Sequence, residues 1–403
     1  MTALSLDSAC FARSPRPFRA ALRIMARGWT AGSLTFLLPD GAELRVGDRG
    51  PGPDAVLRIR SFRFVGRALA AGDIGLAEGY VAGEWDTPDL TRLLTAFALN
   101  FDQLADLAHG HPFVRLVEAV RHALRRNTRA GSRQNIRAHY DLGEAFYRAW
   151  LDPSMTYSAA LYADGSSLQE AQRNKYQALA DAIDLEPGAH VLEIGCGWGG
   201  FAEYAAKERG ARVTAVTVSQ HQYAYARRRM FEQGLAERAD IRLADYRDIQ
   251  GVYDRVASIE MFEAVGEAYW PTFFDKVRES LRPGGRAGVQ VITIRDDLYE
   301  DYRRQTDFIQ KYIFPGGSLP SEARLRRATM AAELEWAGVR RFGADYARTL
   351  SEWSCRFEAA SAEVSRLGFD ERFQRLWRFY LAYCEAGFST ARTDVIQCAL
   401  RRI

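Results

Sequence analysis

The stretch Val191-Leu-Glu-Ile-Gly-Cys-Gly-Trp-Gly-Gly-Phe-Ala202 sets three alternating glycines, Gly195, Gly197 and Gly199, directly behind a short apolar run. A strand that ends in such a turn and opens a helix lets the backbone approach a ligand closely, because glycine lacks a Cβ. The plainer alternative is a turn that serves packing alone. Two details narrow the ligand. A dinucleotide fold needs an acid about 20 residues further on to hold a ribose hydroxyl, and Val216-Thr-Val-Ser-Gln220 contains none. The Gly-Lys-Ser/Thr ending of a phosphate-binding loop is also missing. What remains is Glu193 inside the strand, and the pair Asp245-Tyr246 after a later strand, a carboxylate and an aromatic ring.

The elements around this loop alternate. From about 165 onward the pattern predicts a helix at 168–185, a strand at 190–194, and a helix at 200–209. A strand at 211–217, a helix at 219–234 and strands near 240–244 and 254–260 follow. A helix at 270–281 and a strand at 287–294 complete the run. Such alternation predicts a doubly wound α/β domain with a parallel sheet, and places the glycine loop in its first strand-to-helix turn, where ligands bind. Ahead of it, 33–38, 43–46 and 55–64 read as short strands separated by Pro39-Asp-Gly41 and Gly50-Pro-Gly-Pro53, with helices over 68–83 and 88–108. The expected domains are a smaller α+β domain over 1–110, a linker with a basic helix over 111–132, and the α/β domain over 133–403.

Composition bounds the function classes. With 403 residues, 47% hydrophobic and a net charge of +3, the chain has two globular cores' worth of sequence and no charge excess that calls for nucleic acid. Its arginines cluster: Arg13, Arg16, Arg19, Arg23 and Arg27 near the start, then seven between Arg115 and Arg137. Such runs form solvated faces or lie on anionic lipid headgroups. No stretch approaches the roughly 18 apolar residues of a membrane span. Five scattered cysteines without metal-ligand spacing, and no signal peptide, fit a reduced cytoplasmic setting. Any meeting with lipid is then expected at the inner face of the membrane, and no metal site is expected.

The hydrophobic-Glu-hydrophobic-Gly-x-Gly pattern resembles motif I of S-adenosylmethionine (SAM)-dependent methyltransferases. The likeness then tightens. Arg137-Ala-His-Tyr-Asp-Leu-Gly, Met155-Thr-Tyr-Ser, Met261-Phe-Glu-Ala-Val-Gly, Lys311-Tyr-Ile-Phe-Pro-Gly-Gly and Gly343-Ala-Asp-Tyr resemble, in order, the cyclopropane fatty-acyl-phospholipid and mycolic acid cyclopropane synthases. Gly75-Leu-Ala-Glu-Gly-Tyr-Val-Ala-Gly-Glu-Trp-Asp resembles their N-terminal lipid-binding domain. The resemblance implies SAM as methyl donor, the double bond of an unsaturated phospholipid acyl chain as acceptor, and a homodimer. It implies SAM contacts at Tyr157, Ser158, Glu193, Gly195, Cys196, Gly197, Gly199, Thr217, Gln222, Asp245 and Tyr246. It further implies a bound bicarbonate that removes the methyl proton, held by Glu263, Tyr346, the backbone of Ile292 and Ala159, and a histidine. Cys384 matches a cysteine near the active site, though a small buried hydrophobe is an equal reading.

This sequence departs from that pattern where the histidine belongs: Gln290 stands there, Ala264 follows Glu263, and no histidine occurs after His221. Gln290 can donate a hydrogen bond through its amide but cannot titrate. His139 is the remaining imidazole near the motifs; the resemblance places its segment as a lid over the SAM pocket, where it packs or touches the cofactor, beside the reading as a base. A weakened anion site slows ring closure more than methyl transfer, so a methyl- or methylene-branched product stays open beside the cyclopropane. So do a small-molecule N- or O-methyltransferase and a non-catalytic lipid- or SAM-binding module. Trp270, Phe273, Phe274, Tyr312 and Phe314 fit an acyl tunnel or an ordinary core equally well.

Overall fold

The computed structural model describes residues 9–47, 50–104 and 142–403. The basic helix expected within 111–132, and His139, lie outside the described residues. The chain divides into two units.

The first unit combines described residues up to 104 with Arg304–Tyr312 and Gly368–Arg392. Its helix Arg16–Gly28 carries Pro17 in its first turn, where a missing N–H costs nothing. Phe18, Leu22 and Met25 recur at helical spacing and are buried, while Arg13, Arg16, Arg23 and Arg27 are exposed. Strands β1 (Ser33–Leu37), β2 (Glu43–Gly47), β3 (Asp54–Ile59) and β4 (Trp85–Asp86) form one sheet in the order β2-β1-β3-β4. β3 stops at Ile59, short of the expected 64. The N–H groups of Arg60 and Ser61 turn to the Glu84 carbonyl, and the helix Arg63–Val81 begins, breaking at Gly72 with φ 58°.

The helix Leu90–Asn100, capped by Asp89, meets the helix Glu371–Ser389, whose Glu385 accepts from the Thr91 hydroxyl at 3.0 Å. Arg375 of that helix donates to the Tyr80 carbonyl at 2.7 Å and lies over the Tyr80 ring. Two stretches that the sequence boundary at 133 assigns to the α/β domain therefore build the first unit. No helix among the described residues is long and apolar enough to cross a membrane.

The second unit holds a seven-stranded sheet. Its strands are β5 (His190–Ile194), β6 (Arg212–Thr217), β7 (Ala239–Leu243), β8 (Tyr253–Ile259), β9 (Leu281–Ile294), β10 (Leu334–Arg341) and β11 (Thr393–Arg402). The order is β10-β11-β9-β8-β5-β6-β7. β9-β8-β5-β6-β7 run parallel, and β11 and β10 add two antiparallel strands at one edge. The doubly wound expectation holds; the antiparallel pair is an addition to it. Alternation along β5 sends Leu192 and Ile194 into a core with Phe262, Phe273 and Val289, and Val191 into another with Leu179, Phe201 and Val213.

The chain enters the parallel set at β5 and winds outward to β6 and β7. It then crosses to β8 on the other side. That reversal opens a crevice beyond the carboxyl ends of β5 and β8. The glycine loop follows β5 and the segment Glu260–Glu263 follows β8.

Candidate active site

The loop after β5 is shaped by three left-handed glycines, Gly195 (φ 82°), Gly197 (φ 51°) and Gly199 (φ 83°). Gly195 and Cys196 both donate to the Val216 carbonyl at 3.0 Å, which holds the turn against β6. A Cβ on Gly195 would lie 2.4 Å from Cγ of Met261, whereas one on Gly197 would meet nothing within 4 Å. The loop is therefore closed on the β8 side and open at Gly197. Gly199 caps the helix Gly200–Lys207 without a side-chain bond, leaving amide donors at that helix start for a ligand. Glu193 is buried with no partner for Oε2, and burial pushes its pKa up to about 8 against the pull of Lys175 and Arg229. These features fit the polar groups of SAM. The Cys196 thiol is buried and raised, a packing group rather than a nucleophile.

Around the loop, Thr217 donates to Gln222 at 2.8 Å and accepts from the Ser219 amide. Asp245 is buried and takes Arg247 in two bonds, at 2.8 and 2.6 Å, so its carboxylate is partnered. Tyr246 lies edge-on to Phe273 and is half-buried. Tyr157 packs among Tyr147, Trp150 and Trp353. The segment carrying it is tied to the loop by Arg229, which donates to the carbonyls of Ser154 (2.7 Å) and Trp198 (3.3 Å) and pairs with Glu203.

At the end of β8 the geometry differs from the sequence expectation. Glu263 is not the carboxylate to which the anion-site residues point. Its Oε1 accepts from the Ile292 amide at 2.6 Å, and its Oε2 is buried without a hydrogen-bond partner. The focus is Glu260, three residues earlier. Its Oε1 accepts from the Ala159 amide at 2.8 Å and from the Gln290 side-chain amide at 2.7 Å; its Oε2 accepts from the Tyr346 hydroxyl at 2.8 Å. Glu260 adopts φ 48°, a left-handed conformation that costs a non-glycine residue about 1–3 kcal/mol. Burial raises the pKa of Glu260, opposed by Lys175 and these three donors. Burial and the charge of Glu260 raise Glu263 to about 8.

Lys175 completes the group and was not singled out by motif. It is fully buried on the helix Leu168–Ala182 and donates to the Ser158 hydroxyl at 2.6 Å. Burial lowers its pKa to about 7, with Glu260, Asp152 and Glu193 opposing. The available signal was its spacing: Leu168, Ala171, Gln172, Lys175, Tyr176 and Leu179 share the buried stripe of that helix. Gln397 was missed too. It donates to the Gln290 carbonyl oxygen at 3.0 Å, which turns the Gln290 NH2 toward Glu260.

Other expected residues are placed elsewhere. Cys384 belongs to the first unit, on the helix Glu371–Ser389, where burial and Asp307 push its thiol up. Tyr312 also belongs there, bonded to Glu78. Trp270, Phe273 and Phe274 pack around Phe262 as core. That anchors the segment between Met261 and Glu263. The Ser318 amide donates to the Glu263 carbonyl, fixing the same segment from the other side.

A family model, mycolic acid cyclopropane synthetase, matches residues 127–398. The tuberculostearic acid methyltransferase UfaA1 of Mycobacterium tuberculosis is 38% identical over 397 residues, covering 95% of this chain and 91% of that protein. The cyclopropane-fatty-acyl-phospholipid synthase of Escherichia coli is 35% identical over 355 residues, 86% of this chain and 88% of that one. Among solved structures, the mycolic acid cyclopropane synthase CmaA1 complexed with SAH and CTAB aligns with TM-score 0.63 at 29% identity, over 67% of this chain and 98% of that chain. The chain thus belongs to the mycolic acid cyclopropane synthetase family and is a SAM-dependent methyltransferase of fatty acyl groups.

Proposed function

We propose that the chain adds one carbon from SAM to the double bond of an unsaturated acyl chain in a phospholipid, working at a membrane surface. The observation that carries this reading is the contact between Gly195 and Met261, which sets the donor loop directly against the segment holding Glu260 and Glu263. An amine or alcohol acceptor sheds an acidic proton that water can take. Carbon methylation must lose a proton from carbon, and that step calls for a fixed base in a water-poor site.

SAM supplies an electrophilic methyl on its sulfonium. The residues of this chain do the rest. Gly195, Gly197 and Gly199 offer backbone for close approach, and Glu193, Thr217, Gln222, Asp245, Tyr246, Tyr157 and Ser158 are the further residues assigned to SAM. The buried aromatic residues near Glu263 exclude water and tolerate positive charge. The exposed arginines of the helix Arg16–Gly28 give the first unit a face for anionic headgroups.

The test is mass spectrometry of fatty-acid methyl esters from a bacterium expressing the chain, beside a Gly195/Gly197 double variant. Expected is a one-carbon increase on unsaturated chains with the native protein only. Turnover of SAM with soluble amines or alcohols but not with unsaturated phospholipid vesicles would overturn the reading. A second product is favoured by Gln290 standing where a titrating imidazole would be: a methyl- or methylene-branched chain, seen in the same spectra by the absence of a ring.

A further inference from the structure

The residues that resemblance assigns to a bound bicarbonate are all present, and they do not fit one. The Ala159 amide, the Gln290 side chain and the Tyr346 hydroxyl are spent on the carboxylate of Glu260. The Ile292 amide is spent on Glu263. A second anion here would face two carboxyl groups and compete for donors already taken.

We propose that the carboxylate of Glu260 is the chain's own base for the acyl methylation, built into the place a bicarbonate would take. This rests on the acyl-chain reading above. Three lines support it. First, the donor set is convergent and comes from three elements: the segment before the helix Leu168–Ala182, β9, and the helix Gly343–Ala359. Second, the set is oriented. Gln290 and Gln397 are register partners on β9 and β11, and the bond between them leaves the Gln290 NH2 no other direction. Third, Glu260 holds a left-handed backbone while remaining partly accessible, and strain of that kind persists where surrounding structure fixes a working group.

The step balances as follows. As the methyl carbon bonds to the acyl chain, its bond to sulfur breaks, and the acyl chain is left with a cationic carbon. Glu260 accepts a proton from the added methyl and becomes a neutral acid. The C–H electron pair then forms the third ring bond, or after a hydride shift a methylene double bond. The proton returns to water before the next turnover. Burial and then the neighbouring Glu260 raise Glu263 to about 8, which favours its neutral form at pH 7 beside the Glu260 carboxylate.

Two variants test the assignment with unsaturated phospholipid vesicles, in buffer stripped of carbon dioxide and with bicarbonate restored. The native protein should be indifferent to bicarbonate. Glu260→Gln should keep SAM affinity while losing about 100-fold or more in turnover. Glu260→Gly suits the φ of 48° and opens the anion site, so added bicarbonate or formate should raise its turnover at least about tenfold. A native protein that needs bicarbonate, or a fully active Glu260→Gln, overturns the assignment. A native protein inactive on the vesicles instead overturns the acyl reading itself.

Discussion

The carboxyl ends of β5 and β8 face one crevice but are built in opposite ways. At β5 the working surface is backbone: three left-handed glycines, two amides on the Val216 carbonyl, and a helix start without a side-chain cap. At β8 it is side chains: Glu260, Glu263, Lys175, Gln290 and Tyr346, with one strained backbone position among them. A donor shared by many acceptors needs a generic cradle, and backbone supplies it. Proton removal needs a particular pKa in a particular place, which only side chains set. The two halves touch at Gly195 and Met261, so the comparison breaks most readily there.

Gly195→Ala carries the largest expected effect. The new Cβ would sit 2.4 Å from Met261 Cγ and 2.7 Å from its Cβ, at a φ of 82°. Loop and acid segment must move apart, and a shift of about 1 Å at a reacting centre costs on the order of 100-fold. Turnover should fall at least that far and SAM affinity should weaken. Calorimetry and SAH release measure both; near-native values would show that the contact does not register the two halves.

Lys175→Met addresses the acid side alone. The ammonium holds Glu260 and Glu193 toward their ionised forms. Without it Glu260 protonates at a higher pH, so less base is present at pH 7. Turnover at pH 7 should drop and should recover as the pH is raised. Stability should fall as well, because Glu260 and Glu193 stay buried without their cation and the Ser158 hydroxyl loses its donor. A uniform loss without a shifted pH profile would make Lys175 a packing residue.

The same contrast governs what the amino-acid order revealed. The β5 half is local: strand, glycines and helix start fall within a dozen residues, so the motif alone located it. The parallel strands were legible because all but the β7–β8 pair alternate with helices. β10 was not, since Leu334–Arg341 buries its residues irregularly. The β8 half was half legible. Ala159, Gln290, Ile292, Tyr346 and Glu263 were found by resemblance, and the structure brings them together. Three of them also meet at Glu260, which was not singled out, because its partners lie 101, 30 and 86 positions away. Nothing in its own neighbourhood marks it except an acid directly after a strand. The association of Glu371–Ser389 with the first unit had no local signal either. It depends on Arg375 reaching Tyr80 across 295 residues.

Glu263 separates the two carboxyl groups most finely, through stability rather than turnover. Unfolded, its pKa is the ordinary 4.5; folded, it is about 8. The folded protein therefore binds more protons than the unfolded chain between those values. Stability gained from the neutral, buried acid is complete below pH 4.5 and is lost as the pH rises toward 8. Glu263→Gln keeps an oxygen for the Ile292 amide and cannot ionise, so it should leave turnover at pH 7 little changed. Its melting temperature should match the native protein near pH 4.5 and exceed it by a few degrees at pH 8, about 2–4 °C per kcal/mol for a unit of this size. Glu193, also raised to about 8, keeps part of the native slope in the variant. A variant less stable than the native protein at every pH would mean that Glu263 works as an anion, and that the division of labour between the two glutamates is reversed.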